Sequence, residues 1–201
     1  MMPFPACSPP TIRATLAAPI DPEPLTLDEA KLRAGLDWTP GDARDALMLE
    51  FITAARQQVE TDTGIAVPVQ ARDLFFDTLP SSIAWRDLPP QSSPLRSVTS
   101  ITAINSAGVS TVLDPTAYTV AITNDALVLT ILTTPADTQR WVVRIESGFE
   151  PIPPSLLQAV GLLTAHYATV GRDLTIVGTT AAETPLGYCD AIAGWQVVRL
   201  I

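Results

Sequence analysis

Apolar residues along the chain recur at two different periods, and the change of period divides it into helix, sheet and helix again. From Ala43 to Asp62 the set Leu47, Phe51, Ala54, Ala55 and Val59 recurs at helical spacing, with Arg44, Glu50, Arg56, Gln57 and Glu60 on the other side. This predicts an amphipathic helix over 42–63, opened by Thr39-Pro40-Gly41-Asp42 and closed by Gly64 as C-cap. A shorter helix over 26–35 precedes it. Thr26-Leu27-Asp28-Glu29 reads as a capping box, Leu27, Ala30 and Leu36 face inward, and Gly35 ends the helix. Between residues 65 and 147 the period shortens to that of strands. The candidates are Val67–Phe76, Ile83–Leu88, Ser97–Asn105, Ser110–Leu113, Tyr118–Ile122, Leu127–Leu132 and Trp141–Ser147. Asn105-Ser106-Ala107-Gly108, Asp114-Pro115 and Asn124-Asp125 are the turns between them, and Pro89, Pro90 and Pro94 mark a stiff connection. Helical period returns after Pro153-Pro154 and runs over 154–170, to Gly171.

The fold class expected is therefore α+β: a small helical bundle with an inserted antiparallel sheet or sandwich, and extended arms at both ends. The divisions are a proline-rich N-terminal arm over 1–24, a main domain over 25–171 and a C-terminal arm over 172–201. Seven of the 19 prolines fall before residue 25, which favours extended backbone: either a loose tail or an arm that orders on a neighbouring subunit. The final helix is unusual. No charged residue occurs from Pro151 to Gly171, and apolar side chains cover nearly every face, as for a helix buried all round. One small domain rarely surrounds a helix completely, so part of this surface is expected against a partner subunit. Trp195-Gln196-Val197-Val198-Arg199-Leu200-Ile201 is likewise apolar, suiting either a last element folded onto its own core or a contact with a partner.

Charge and composition narrow the function classes. Lys and Arg total 12 against 21 Asp and Glu, a formal charge of −9, which argues against holding nucleic acid by phosphate neutralisation. Four basic residues face eight acidic ones over 25–64, and five face eight over 65–150. A hydrophobic fraction of 47% with 16% charged residues excludes a disordered chain. Met1–Pro10 has neither the basic start nor the apolar centre of a secretory signal, and Gln158, Thr164, His166 and Thr169 interrupt the one apolar helix before it could span a membrane. Catalytic chemistry is hard to find. Val177-Gly178-Thr179-Thr180 lacks the lysine of a phosphate loop, and Cys7 and Cys189 lie far apart. Asp73 with Asp77, or Asp42 with Asp45, are better explained as strand edge and first helical turn than as catalytic pairs. His166, the only histidine, reads as a packed residue of an apolar helix. No catalytic residue, cofactor or metal is expected.

The order of elements, with the residues at their joints, resembles the phage head-to-tail connector (adaptor) family. The likeness is carried by Leu25-Thr26-Leu27-Asp28-Glu29-Ala30-Lys31 with Leu36-Asp37, and by Asp45-Ala46-Leu47, Phe51-Ile52, Ala54-Ala55-Arg56, Val59-Glu60 and Thr63-Gly64. Pro94 to Ile101, Asp114-Pro115 with Tyr118-Thr119-Val120, Gly148-Phe149, Ile152-Pro153-Pro154, Leu157-Gln158-Ala159, Ala165-His166-Tyr167 and Pro185-Leu186-Gly187 continue it. It spans Leu25 to Gly187; the long proline-rich start departs from the pattern. The resemblance implies a non-enzymatic virion component of a tailed phage, prophage or gene transfer agent. Such a protein forms a homo-oligomeric, twelve-fold ring beneath the portal, extends the DNA channel without binding DNA specifically, and docks the stopper or tail. It implies no membrane partner. The contacts to the portal or to neighbouring subunits are then expected at Leu157, Leu163, Tyr167, Trp195, Val197, Val198, Leu200 and Ile201. Other neck or tail-completion proteins are an alternative. So is a β module binding protein or carbohydrate, for which Trp85 and Trp141 are the candidate exposed aromatics, and an enzyme with a dispersed site is the least favoured.

Overall fold

A computed structural model describes residues 12–123, 126–170, 185 and 187–196. The chain is α+β and divides into two compact units that it enters several times. The first takes residues up to 18, Ala71–Pro89 and Arg96–Glu146; the second takes Pro19–Gln70, Pro90–Leu95 and the residues from 147 on.

The first unit holds the sheets. A five-stranded sheet has the order β1-β2-β8-β4-β5, from Arg13–Leu16 (β1), Gln70–Phe76 (β2), Leu95–Asn105 (β4), Ser110–Val112 (β5) and Thr138–Ser147 (β8). A three-stranded sheet has the order β3-β7-β6, from Ser82–Ala84 (β3), Tyr118–Ile122 (β6) and Ala126–Ile131 (β7). Alternation sets the buried face: Trp141, Val143 and Ile145 point inward from β8, and Leu127 and Leu129 from β7. The β4–β5 hairpin forms as its turn residues require. The Asn105 carboxamide accepts from the amides of Ala107 and Val109, and Gly108 takes φ +78°. Asp114 accepts from the Thr116 amide and starts the short turn before β6. The turn expected at Asn124-Asp125 lies outside the described residues.

Several expectations change here. Residues 13–16, expected within a proline-rich arm, form β1 and pair antiparallel with β2, Arg13 opposite Phe75 and Leu16 opposite Arg72. The strand expected from Val67 starts at Gln70, because the Val67 amide is taken by the Glu60 carboxylate and Pro68 has no N–H to give. The strand expected to Leu88 stops at Ala84, where β7 ends opposite it; Trp85–Asp87 then turn as a 3-10 helix that drops Leu88 into the interior.

The second unit holds the helices. Thr26 caps α1 (Leu27–Arg33): its hydroxyl accepts from the Glu29 amide while the Glu29 carboxylate accepts from the Thr26 amide, the expected capping box. Helix α2 runs Arg44–Thr63 and ends on Gly64 at φ +75°. It starts two residues later than expected, because the Asp42 carboxylate accepts from the Arg44 amide and guanidinium in the turn before the helix. Its inner face is also rotated from the one expected. Met48, Ile52, Ala55 and Val59 are buried, whereas Leu47 is 48% exposed and Ala54 faces outward.

The rotation puts Arg56 and Glu60 inside. Arg56 donates to both Glu23 oxygens, at 2.7 and 3.3 Å, and to Glu60 Oε2 at 2.9 Å. The other Glu60 oxygen accepts from the Val67 amide at 3.0 Å and from Gln70 Nε2 at 2.9 Å. Burial works against the Arg56 charge, but the Glu23 bond and the charges of Glu60 and Glu23 overcome it and raise its pKa. Simple periodicity placed both residues outside because it counts polarity, not pairing.

Between α1 and α2, Asp45 gathers three donors: Lys31 Nζ at 2.6 Å, Trp38 Nε1 at 2.6 Å and the Gly41 amide at 2.8 Å. Lys31 and then Trp38 hold its carboxyl below the usual range. A depressed folded-state pKa contributes stability above the ordinary carboxylate pKa of about 3.9, and the contribution is lost as pH falls through the folded value. Asp45→Asn is therefore expected to lower the melting temperature at neutral pH and to flatten its decline on acidification. Thermal unfolding from neutral to acid pH tests this, and an unchanged acid limb contradicts it.

Helix α3 runs Pro154–Val170 as expected, and α4 (Tyr188–Ile192) lies within the segment expected as a C-terminal arm. Tyr188 and Ile192 are buried in the helical core, and the Tyr188 hydroxyl donates to Asp62 at 2.6 Å, tying α4 to the end of α2. No helix among the described residues is long and apolar enough to cross a membrane.

Candidate assembly interface

The expected contact residues lie on α3 and just beyond α4, and the structure gives them different fates. Leu156, Ala159, Val160, Leu163 and Ala168 face the chain's own core. Leu163, 4% exposed, is thus spent inside the chain rather than offered to a partner. Helix α3 is not buried all round: Pro154 and Gln158 are exposed, and Leu157, Leu162 and Ala165 are half-buried. These residues line an open groove of about 480 Å³, together with Arg33 and Gly161. Leu157 therefore sits where a partner can reach it.

Tyr167 is half-buried, with its ring centroid 6.5 Å from Phe51 and 6.2 Å from His166. Burial and then the Asp62 charge raise its pKa. It lies about 15 Å along the helix from Leu157, at 1.5 Å per residue, and outside the groove. Trp195 is half-buried too. Its ring meets Phe149 edge-on at 5.3 Å, and its Nε1 donates to Ser155 Oγ at 2.9 Å, which fastens the turn after α4 to the start of α3. Val197, Val198, Leu200 and Ile201 lie outside the described residues.

The groove is distinguished by one charge. Arg33, in the last turn of α1, lies flat across α3: a Cβ added at Gly161 would come within 2.8 Å of Arg33 Cδ and 2.6 Å of its Nη1. The guanidinium is thereby set on a helix face that has no charge of its own. Sequence reasoning passed over Arg33 and Gly161. A signal was present, since glycine inside a helix costs about 1 kcal/mol relative to alanine and usually marks a close approach.

Other candidate chemistry is sparse. Among the described residues no three His, Cys, Asp or Glu side chains are grouped to hold a metal ion, and Cys189 is exposed with a free thiol. Of the aromatics that would mark a carbohydrate face, Trp141 is buried at 8% exposed and Trp85 is half-buried.

No protein-family model matches the chain, and no curated protein does. Solved structures do. A chain in the neck of an empty gene transfer agent particle, computed with C6 symmetry, superposes with a TM-score of 0.70 at 22% identity, over 94% of this chain and 97% of that one. The fold is that of a gene transfer agent neck chain. A chain of the virion of the native particle superposes at 0.67, and one of the native neck computed with C12 symmetry at 0.65, each at 21% identity and over the same shares. The neck fold thus takes in both units of this chain, and the relatives have little beyond them.

Proposed function

We propose that this chain is a structural neck subunit of a tailed phage, prophage or gene transfer agent: a head-to-tail connector, or adaptor, that forms a ring beneath the portal. In this role it lengthens the DNA channel, docks the stopper or tail, and uses no catalytic residue, cofactor or membrane. The observation that carries the reading is the superposition on gene transfer agent neck chains over 94% of this chain. Two properties of the chain itself support it. A formal charge of −9 suits a wall past which a polyanion slides without adhering. The partly uncovered, uncharged outer strip of α3 suits a subunit whose burial is completed by assembly.

Electron microscopy of the protein mixed with its portal tests the role, with a ring coaxial with the portal as the expected result. A monomer with no affinity for the portal overturns it. Within this reading residues 197–201 belong to an arm that clasps the portal. Trp195 is excluded from the deletion that tests the arm, because it packs on Phe149 and Ser155. Removing residues 197–201 is expected to weaken portal binding while the melting temperature holds; unchanged binding rejects the clasp alone.

A further inference from the structure

One stripe of exposed residues on α2 and the groove along α3 each hold one charge, and the two are opposite. On α2 the exposed residues Ala46, Glu50, Ala54 and Gln57 follow one another at spacings of four and three, so they form a single stripe. The stripe is made of small and uncharged residues except for Glu50. On α3 the groove of Pro154, Leu157, Gln158, Leu162 and Ala165 is uncharged except for Arg33, which Gly161 admits across it. Among the described residues neither Arg33 nor Glu50 makes an ion pair; Glu29, one turn back on α1, feels the Arg33 charge without bonding to it.

These faces cannot meet within one chain. Helices α2 and α3 pack on each other through Met48, Ile52, Ala55 and Val59 on one side and Leu156, Ala159, Val160 and Leu163 on the other, so their outer faces look in opposite directions. A stripe that carries one carboxylate on one flank and a groove that carries one guanidinium on the other fit between copies, not within one. Contact between two different patches is heterologous and propagates from copy to copy, closing into a ring where the rotation between copies allows; a two-fold dimer would need one self-complementary patch.

We propose that the α2 stripe of one copy seats in the α3 groove of the next, with Glu50 meeting Arg33 of the neighbouring copy. The inference rests on the ring assembly proposed above and names the two faces that build it. Ala46 and Ala54 let the α2 backbone approach closely, Leu157, Leu162 and Ala165 supply apolar area to bury, and the single charge pair fixes the register.

Charge reversal with complementation tests this. Arg33→Glu and Glu50→Arg are each expected to raise the concentration needed for assembly by about tenfold or more, as like charges then face each other at every contact. Both residues are exposed, so the melting temperatures of the variants are expected to match the wild type. Mixing the two variants in equal amounts restores opposite charges at every contact of an alternating ring, and the double variant restores them within one chain. Ring formation is read by mass photometry and electron microscopy. If both single variants assemble as the wild type does, or if the mixture fails to recover, the face assignment is wrong and the ring stands. If the wild type itself forms no ring, alone or on the portal, the assignment and the reading beneath it both fall.

Discussion

Arg56→Ala is expected to destabilise the helical unit by about 3–5 kcal/mol, the loss typical of breaking a buried ion pair from one side. Glu60 is 2% exposed and loses its cation in the variant, with only the Val67 amide and the Gln70 carboxamide left as donors. Glu23, which holds the segment before α1 against α2, loses its cation at the same time and keeps the Thr53 hydroxyl as donor. Replacing both members, as in Arg56→Met with Glu60→Met, removes the stranded charge and recovers part of the loss. It does not recover all of it, because the Val67 amide then has no acceptor, at about 1–3 kcal/mol for a buried unsatisfied donor. Urea unfolding followed by circular dichroism measures both variants. A loss below about 1 kcal/mol for Arg56→Ala would mean that water reaches Glu60 and that the network is peripheral to the fold.

Gly148→Ala is expected to be at least as damaging, through geometry instead of charge. Gly148 has φ +117°, and a Cβ there would lie 2.0 Å from the Pro68 carbonyl oxygen, 2.5 Å from its carbon and 2.9 Å from Val69 Cα. All three are backbone atoms, so no side chain can turn aside to make room. Backbone strain of about 1–3 kcal/mol and overpacking of a similar size put the expected loss at about 4 kcal/mol or more. The displaced segment also pairs with its neighbours, since the Phe149 amide donates to the Val67 carbonyl and the Gly148 amide to that of Pro94. Gly35→Ala is the control. Its φ is +64° with nothing within 4 Å of the added methyl, so only the left-handed conformation opposes it, at about 1–2 kcal/mol. Equal melting temperatures for the two variants would contradict the argument.

Both effects centre on the entry and exit of the β region, where the sequence was least informative. Gly148-Phe149 was visible as part of a family pattern, but the approach of Pro68 involves a partner 80 residues away in sequence. Arg56 and Glu60, four residues apart on a helix, read naturally as a solvated pair. What made them internal was Glu23 on one side and the Val67 amide and Gln70 on the other. The proposed interface was legible in the same limited way: absence of charge marked α3 as unusual, yet the groove depends on an arginine from α1.

Local physics, by contrast, was sufficient for the elements themselves. The capping box at Thr26, the glycine after Thr63, the proline start of α3, and the hairpin at Asn105 each form from residues within a few positions, so the short-range code defines them. The sequence alone also determined the α+β class and the presence of a helix face free of charge. Tertiary structure decided the face by which α2 packs, the recruitment of residues 13–16 as an edge strand, and which part of α3 remains open. Each depends on contacts between segments remote in sequence, where a buried charge or an uncovered methyl is settled by its neighbours in space.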